Sequence, residues 1–143
     1  MERQGQDAFV RSIVSWKVPF FIEPRFMDTK IYFNPRCSKC RKTLALIQGR
    51  AIEPTIIPYL EDPPSKQTLT EIVNQLGVGP KDLVRFKETA AIDLGLSSKD
   101  VRADTEWIGI LVHNPSLIER PIVVRGERAV IGRPPEKVLE ILQ

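Results

Sequence analysis

Hydrophobic positions follow two different spacings from residue 30 onward. Short apolar runs over 30–33 and 55–57, bounded by turn signals that contain proline, predict β-strands. Between them, residues 38–48 carry Leu44 and Ile47 three positions apart, which predicts a helix with one apolar face. A strand, a helix and a strand in this order predict a βαβ unit, in which the two strands pair in parallel.

The rest of the pattern predicts helices, then a hairpin and a terminal helix. Three segments at helical spacing follow the second strand, and they cover residues 65–76, 80–86 and 104–112. Two β-prone runs, 122–124 and 129–131, flank a short polar turn with a glycine, which predicts an antiparallel hairpin. Pro134-Pro135 then opens the last helix. This order of elements predicts an α/β fold.

Composition limits the classes of protein to consider. The chain has 143 residues, of which 42% are hydrophobic and 27% charged, as expected for one globular domain. It has no run of eighteen apolar residues, so we predict no membrane helix and no membrane partner. The net charge of +3 is too small to indicate direct nucleic-acid binding.

Residues 1–28 differ from the rest of the chain. Arg11 and Lys17 interrupt the apolar stretch that a signal peptide needs, and the acidic residues argue against a transit peptide. We expect a poorly ordered extension, or translation from a start upstream of a natural start at Met27. The alternative is an apolar strip that docks on the domain or on a partner. The predicted domain then covers residues 29–143.

The two cysteines form a C-x-x-C pair, Cys37 and Cys40. Together with the single His113 they give three candidate metal ligands, whereas structural zinc needs four, so we expect no metal. A pair at this spacing in a chain without a visible secretory signal predicts redox chemistry in a reducing cytoplasm. The alternative is two buried structural cysteines.

The predicted start of the first helix lies at Cys37. A sulfur at a helix N-terminus faces unpaired N–H groups and the positive end of the dipole, which favours the thiolate. The surrounding run adds four cationic side chains, Arg36, Lys39, Arg41 and Lys42. We therefore predict that Cys37 is the nucleophile and that Cys40, one turn further on, is a candidate resolving thiol.

Several motifs in fixed order resemble those of one protein family. They are Asn34-Pro35-Arg36-Cys37 with Cys40-Arg41, Glu53-Pro54-Thr55, Tyr59-Leu60-Glu61, Glu119-Arg120-Pro121-Ile122-Val123-Val124 and Gly132-Arg133-Pro134-Pro135-Glu136. Over about residues 30–142 the chain resembles the glutaredoxin-coupled arsenate reductases. The resemblance implies a thioredoxin-like fold with a mixed four-stranded sheet and an inserted helical subdomain, here about residues 65–112.

The resemblance also implies a reaction. Cys37 would attack arsenate or a similar oxyanion, glutathione as co-substrate would attack the arsenate ester, and glutaredoxin would reduce the adduct and release arsenite, with no bound cofactor. Arg85, Arg120 and Arg133 would bind the oxyanion, and Arg41 would support the anion site. Arginine suits this role because its planar fork grips two oxygens and stays charged. Each arginine taken singly could equally be a solvated surface charge.

Two departures from the family pattern keep other functions open. Many members have histidine where this chain has Phe33, and the classical reductases have serine or threonine where it has Cys40. A second thiol could form a Cys37–Cys40 disulfide, which would suit a general thiol-disulfide reductase. Relatives with C-x-x-C also include Spx-type regulators, which bind RNA polymerase and are not enzymes. The segment that contains Arg133 favours the enzyme over the regulator.

Two further expectations complete the prediction. Arg120-Pro121 resembles the position of the thioredoxin fold at which a cis proline faces the active cysteine, so we predict a cis bond there. Because nothing in the sequence requires association, we expect a cytoplasmic monomer whose partners are an oxyanion and glutaredoxin.

Overall fold

The computed structural model describes residues 28–143. The predictions for the N-terminal extension concern residues 1–28, and of these residues 1–27 lie outside the described residues. Within the described part of the chain, no helix is long and apolar enough to cross a membrane.

The secondary structure follows the predicted order. Within residues 28–143 the strands are β1 (Thr29–Tyr32), β2 (Thr55–Ile57), β3 (Ile122–Arg125) and β4 (Arg128–Ile131). The α-helices there are α1 (Ser38–Gly49), α2 (Lys66–Leu76), α3 (Thr89–Asp93) and α4 (Asp104–His113). Short 3₁₀ helices cover Pro80–Leu83, Pro115–Leu117 and Pro135–Ile141.

The four strands form one mixed sheet in the order β2-β1-β3-β4. β1 and β2 are parallel, with Ile31 opposite Ile56. β3 is antiparallel to β1 and to β4. The structure thus confirms the predicted parallel pair, the predicted hairpin and the mixed four-stranded sheet.

Side chains alternate between two cores, one on each face of the sheet. In β1, Ile31 packs in the core that α1 and the C-terminal 3₁₀ helix cover, while Tyr32 packs in the core that the inserted helices cover. The same alternation separates Val123 from Ile122 in β3. Because successive strand residues point to opposite faces, the short apolar runs serve both cores.

Three predicted details differ from the structure. The helix predicted to reach Phe86 ends at Leu83, because the backbone of the next residue, Val84, forms an antiparallel bridge with Ile118. The short helix α3 was not predicted. The last helix is 3₁₀ rather than α, and its three-residue period places Val138 and Ile141 on the same buried side.

Candidate active site

The turn between β1 and α1 places Cys37 at the start of the helix. Asn34 holds this turn, since its backbone oxygen accepts the Cys37 N–H at 2.9 Å and its side-chain oxygen accepts the Arg36 N–H at 3.0 Å. An asparagine that closes a turn with its own side chain explains why the Asn-Pro signal precedes the helix here. Cys37 is the N-cap residue of α1, with extended backbone angles.

The thiol of Cys37 is tuned towards its charged form. Burial alone would raise its pKa, but the backbone N–H of Cys40, the Arg120 guanidinium and the backbone N–H of Lys39 act in the opposite direction and lower it to about 7. The sulfur makes no conventional capping hydrogen bond to the helix. Its thiolate is instead stabilised by the nearby N–H groups of the first turn, as the sequence predicted for a sulfur at a helix N-terminus.

Cys40 has the opposite character. It is fully buried, whereas Cys37 is 6% exposed. Burial raises the pKa of Cys40 to about 12, and interaction with Cys37 adds to the rise, although the Asn34 backbone and the Arg120 charge partly offset it. Both cysteines are free thiols. The pair therefore combines a reactive outer thiol with a protected inner one.

Two arginines approach Cys37 from the β3–β4 hairpin. Arg120 precedes β3 and Arg133 follows β4, so the hairpin brings them together at one end. The Nη2 atom of Arg133 lies 3.7 Å from the Cys37 sulfur, and its Nε donates to the Arg120 carbonyl at 2.6 Å. The Arg120–Pro121 bond is cis, which confirms the prediction, and Arg133–Pro134 is also cis.

Glu119 contacts all three of the arginines that are predicted to bind the oxyanion. Its Oε1 atom lies 3.2 Å from Nε of Arg133 and 3.5 Å from Nε of Arg85, and it accepts the Arg120 N–H at 3.2 Å. The bridge between Val84 and Ile118 positions Arg85 for this contact. The structure therefore brings Arg85, Arg120 and Arg133 into one cluster beside Cys37.

Arg41 has a different placement. It is exposed, and its Nη1 donates to the carbonyl of Pro35 at 2.7 Å, which braces the turn before Cys37. Its predicted role at the anion remains a prediction. The contact with Pro35 gives it a second role, in holding the turn that presents the nucleophile.

Sequence reasoning missed three polar residues of the site. Glu119 and Glu88 both pair with Arg85, and Tyr59 is buried close to Arg120 and Cys40. A signal was present for Glu119, because three arginines held together need a counter-charge and this residue is adjacent to one of them. Tyr59 falls within a quoted motif, but nothing in the sequence indicates that the turn after β2 folds beneath the cysteines.

The Tyr59 hydroxyl is a buried polar group without a hydrogen-bond partner. Burial raises the pKa of Tyr59, and the neighbouring Arg120 charge offsets part of this rise while Cys40 adds to it. The phenol therefore stays protonated at neutral pH and keeps a proton to donate. An unpaired buried hydroxyl costs free energy on the order of 1–3 kcal/mol, so its retention at this place calls for an explanation.

A recess of about 380 Å³ adjoins the arginine cluster. Glu119 and Arg133 line it together with Asp82, Lys137 and part of β4. Its charged lining is mixed, since Glu140 brings the acidic side chains to three against two basic ones. Among residues 28–143 there is no group of three metal-ligating side chains.

A lowered-pKa cysteine at a helix start, facing arginines clustered at the same end of a mixed sheet, defines a thioredoxin-like thiol site suited to an oxyanion. The ArsC family model matches residues 32–141. The chain belongs to the ArsC family.

Individual relatives agree with this assignment. The arsenate reductase of Haemophilus influenzae is 42% identical over 117 residues, which cover 81% of this chain and all of that protein. The uncharacterized protein YfgD of Escherichia coli K12 is 45% identical over 80% of this chain and 97% of its own length. The solved structure of the arsenate reductase from Vibrio cholerae matches with a TM-score of 0.76 and 43% identity, covering 80% of this chain and 98% of that chain.

Proposed function

We propose that this protein reduces arsenate to arsenite, with the Cys37 thiolate as the nucleophile. The observation that carries the proposal is the contact between Arg133 and the Cys37 sulfur, at 3.7 Å. A guanidinium at this distance can hold an oxygen of a tetrahedral anion while the sulfur faces the central atom. An ordinary thiol-disulfide site does not need this cation.

The oxyanion is bound by the three clustered arginines in this proposal. Arg120 and Arg133 are closest to the sulfur, and Arg85 is linked to them through Glu119. Their charges would offset the negative charge of arsenate, which otherwise repels an approaching thiolate. Glu119 fixes the positions of the guanidinium groups, and Arg41 contributes through the turn that it braces and through its positive charge.

The electrons come from glutathione and glutaredoxin in this proposal, as the resemblance implies. Cys37 attacks arsenic, a sulfur–arsenic bond forms, and one oxygen leaves as water. Glutathione then attacks the adduct in the same way. Glutaredoxin takes the glutathionyl sulfur as a mixed disulfide, and the electron pair of the broken sulfur–arsenic bond remains on arsenic, which is thereby reduced while still bonded to Cys37. Water then displaces the Cys37 sulfur from As(III), which releases arsenite and regenerates the Cys37 thiol.

A second candidate function is favoured by one observation, the presence of a buried free thiol at Cys40. A reactive outer thiol and a buried inner thiol also suit a general thiol-disulfide reductase or a redox-switch regulator of the Spx type. Neither of these functions explains why Arg133 and Arg85 converge on one carboxylate beside Cys37. The effect of removing Arg133 therefore distinguishes the candidates.

The experiment is arsenate-dependent oxidation of NADPH in the presence of glutathione, glutaredoxin and glutathione reductase. We expect turnover in the wild type, none in Cys37→Ser, and a loss of about 100-fold or more in Arg133→Ala. Reduction of a small disulfide, measured on the same preparations, should be much less sensitive to Arg133→Ala. Disulfide reduction without any arsenate turnover would instead support the general thiol reductase.

A further inference from the structure

We infer that Cys40 is an internal resolving thiol, which releases arsenite by attacking the Cys37 sulfur of the arsenate adduct. The inference rests on the proposed function and changes one step of it. Glutathione would no longer be needed to form arsenite. The external reductant would instead act afterwards, on a Cys37–Cys40 disulfide.

The positions of the two thiols support this role. Cys37 is the N-cap of α1 and Cys40 lies three residues later, on the face that turns towards the core. Side chains three residues apart at a helix start lie on the same side, one above the other. Their thiols are close enough to influence each other's ionisation. Cys40 is fully buried and Cys37 is 6% exposed, so Cys40 is the thiol further from solvent.

Several groups around Cys40 can stabilise its thiolate while it is formed. A fully buried thiol is a poor nucleophile until its charge is stabilised. The Asn34 backbone and the Arg120 charge both act on Cys40 in this direction. The Tyr59 hydroxyl is buried close to both Cys40 and the Arg120 guanidinium. A hydroxyl at this place can donate to the Cys40 sulfur when that sulfur becomes charged.

The charge on Cys37, which affects the pKa of Cys40, also changes during the reaction. In the resting pair, the anionic tendency of Cys37 raises the pKa of Cys40. Once the Cys37 sulfur is bonded to arsenic, it no longer carries that negative charge. Arg120 then acts on the arsenate oxygens and on Cys40 together, and the Cys37 thiolate no longer raises the pKa of Cys40.

The step is balanced in atoms and electrons. The Cys40 thiolate attacks the Cys37 sulfur, a sulfur–sulfur bond forms, and the sulfur–arsenic bond breaks. Its electron pair stays with arsenic, so As(V) becomes As(III) and leaves as arsenite, while the two cysteines are oxidised to a disulfide. The proton of Cys40 passes to an arsenite oxygen or to solvent. A dithiol protein reductant then opens the disulfide and is itself oxidised to a disulfide.

The test is a single turnover without any added thiol. The full chain is reduced, freed of reductant under anaerobic conditions and mixed with arsenate, and arsenite is quantified by chromatography with elemental detection. Wild type should give about one arsenite per chain and lose both free thiols, with a mass change of two hydrogens. Cys40→Ser should give no arsenite under these conditions, and should turn over when glutathione and glutaredoxin are added.

The other possible outcomes separate a failure of the internal step from a failure of the proposed function. If wild type forms no arsenite without thiol but turns over with glutathione and glutaredoxin, the internal step is wrong while the proposed function stands. If neither protein forms arsenite under any condition, the proposed function fails as well. The disulfide is read in the wild type by mass spectrometry, so the test does not depend on how well Cys40→Ser folds.

Two buried tyrosines, Tyr59 and Tyr32, allow the role of the Tyr59 hydroxyl to be tested with a matched control. Tyr59→Phe should slow the thiol-free turnover several-fold, while the rate at which iodoacetamide modifies Cys37 stays unchanged. Tyr32→Phe removes another buried phenol, which interacts with Asp62 and Glu71 rather than with the cysteines, and should leave both rates unchanged. Equal rates for Tyr59→Phe and wild type would show that Tyr59 does not assist Cys40.

Discussion

Nη2 of Arg133 lies 3.7 Å from Sγ of Cys37, although 96 residues separate the two in the sequence. Cys37 stands at the start of α1 and Arg133 directly after β4. The mixed sheet brings these two ends together, because β3 begins opposite the end of β1, with Ile122 paired to Tyr32, and β4 returns to the same end. The contact is therefore a product of the whole fold.

Removing Arg133 should abolish most arsenate turnover without unfolding the protein. Arg133→Ala loses a cation that lies 3.7 Å from the sulfur, and one such group contributes roughly 100- to 1000-fold to catalysis. The measurement is kcat/KM for arsenate. The matched control is Arg128→Ala, since Arg128 is exposed and donates only to the Glu140 carbonyl among the contacts described. Equal losses in both variants would contradict the assignment.

The reactivity of Cys37 should follow a titration near neutral pH. Its pKa of about 7 means that the thiolate is half-formed at that pH, and its reaction rate with iodoacetamide should fall as the pH drops below 7. Arg120→Gln removes a charge that favours the thiolate, so the midpoint should rise by about one unit and the rate at pH 7 should fall roughly fivefold.

Arg85→Gln is the control for this titration. Arg85 contacts Glu119 and Glu88 rather than the sulfur, so its replacement should leave the midpoint of Cys37 in place. A midpoint that shifts equally in both variants would mean that overall charge, rather than contact with Arg120, sets the pKa of Cys37.

Glu119 should act as a positioning residue for the arginine cluster. Glu119→Gln keeps the shape but removes the charge that holds Arg85 and Arg133. We expect KM for arsenate to rise by about tenfold with a smaller change in kcat, because misplaced guanidinium groups bind the anion less well. Glu88→Gln, which loses contact with Arg85 alone, should have a weaker effect. A larger effect of Glu88→Gln would contradict this role.

Local signals predicted most of the fold. Ser65 before an apolar stripe predicted the start of α2, and its hydroxyl accepts the Thr68 N–H at 3.1 Å. Gly77 ends the same helix with a φ of 71°. Such features depend on a few neighbouring residues, so the sequence displays them directly. The cysteine at the start of α1 was predictable for the same reason.

The parts that depend on distant contacts were not predictable from local pattern. Leu83 ends its 3₁₀ helix because the next residue pairs with Ile118, which lies 34 positions further along the chain. Glu119 became part of the site through contacts with Arg85 and Arg133 that no local spacing indicates. The family resemblance identified the three arginines and its motifs include Glu119, but the contacts of Glu119 with Arg85 and Arg133 depend on the folded chain.

Gly132 should tolerate no side chain. A methyl group at this position would lie 2.6 Å from Oγ1 of Thr43 and 2.8 Å from Cγ of Pro121, so the packing between α1 and the hairpin would have to open. We expect Gly132→Ala to lower the free energy of unfolding by about 1–3 kcal/mol, measured by urea denaturation.

Gly49→Ala is the matched control for this prediction. Gly49 is the last residue of α1, is exposed, and has no atom within 4 Å of an added methyl group. Its replacement should leave the stability unchanged or raise it by less than about 1 kcal/mol. Equal stabilities of the two variants would show that the contact with Thr43 relaxes without cost.

The most direct test of the account is to measure arsenite itself. Wild type, Cys37→Ser and Arg133→Ala are each incubated with arsenate, glutathione, glutaredoxin and an NADPH-regenerating system, and arsenite is quantified over time. The account predicts steady arsenite formation by the wild type, none above the protein-free background with Cys37→Ser, and a rate about 100-fold lower with Arg133→Ala. Arsenite formation by Cys37→Ser at the wild-type rate would contradict it.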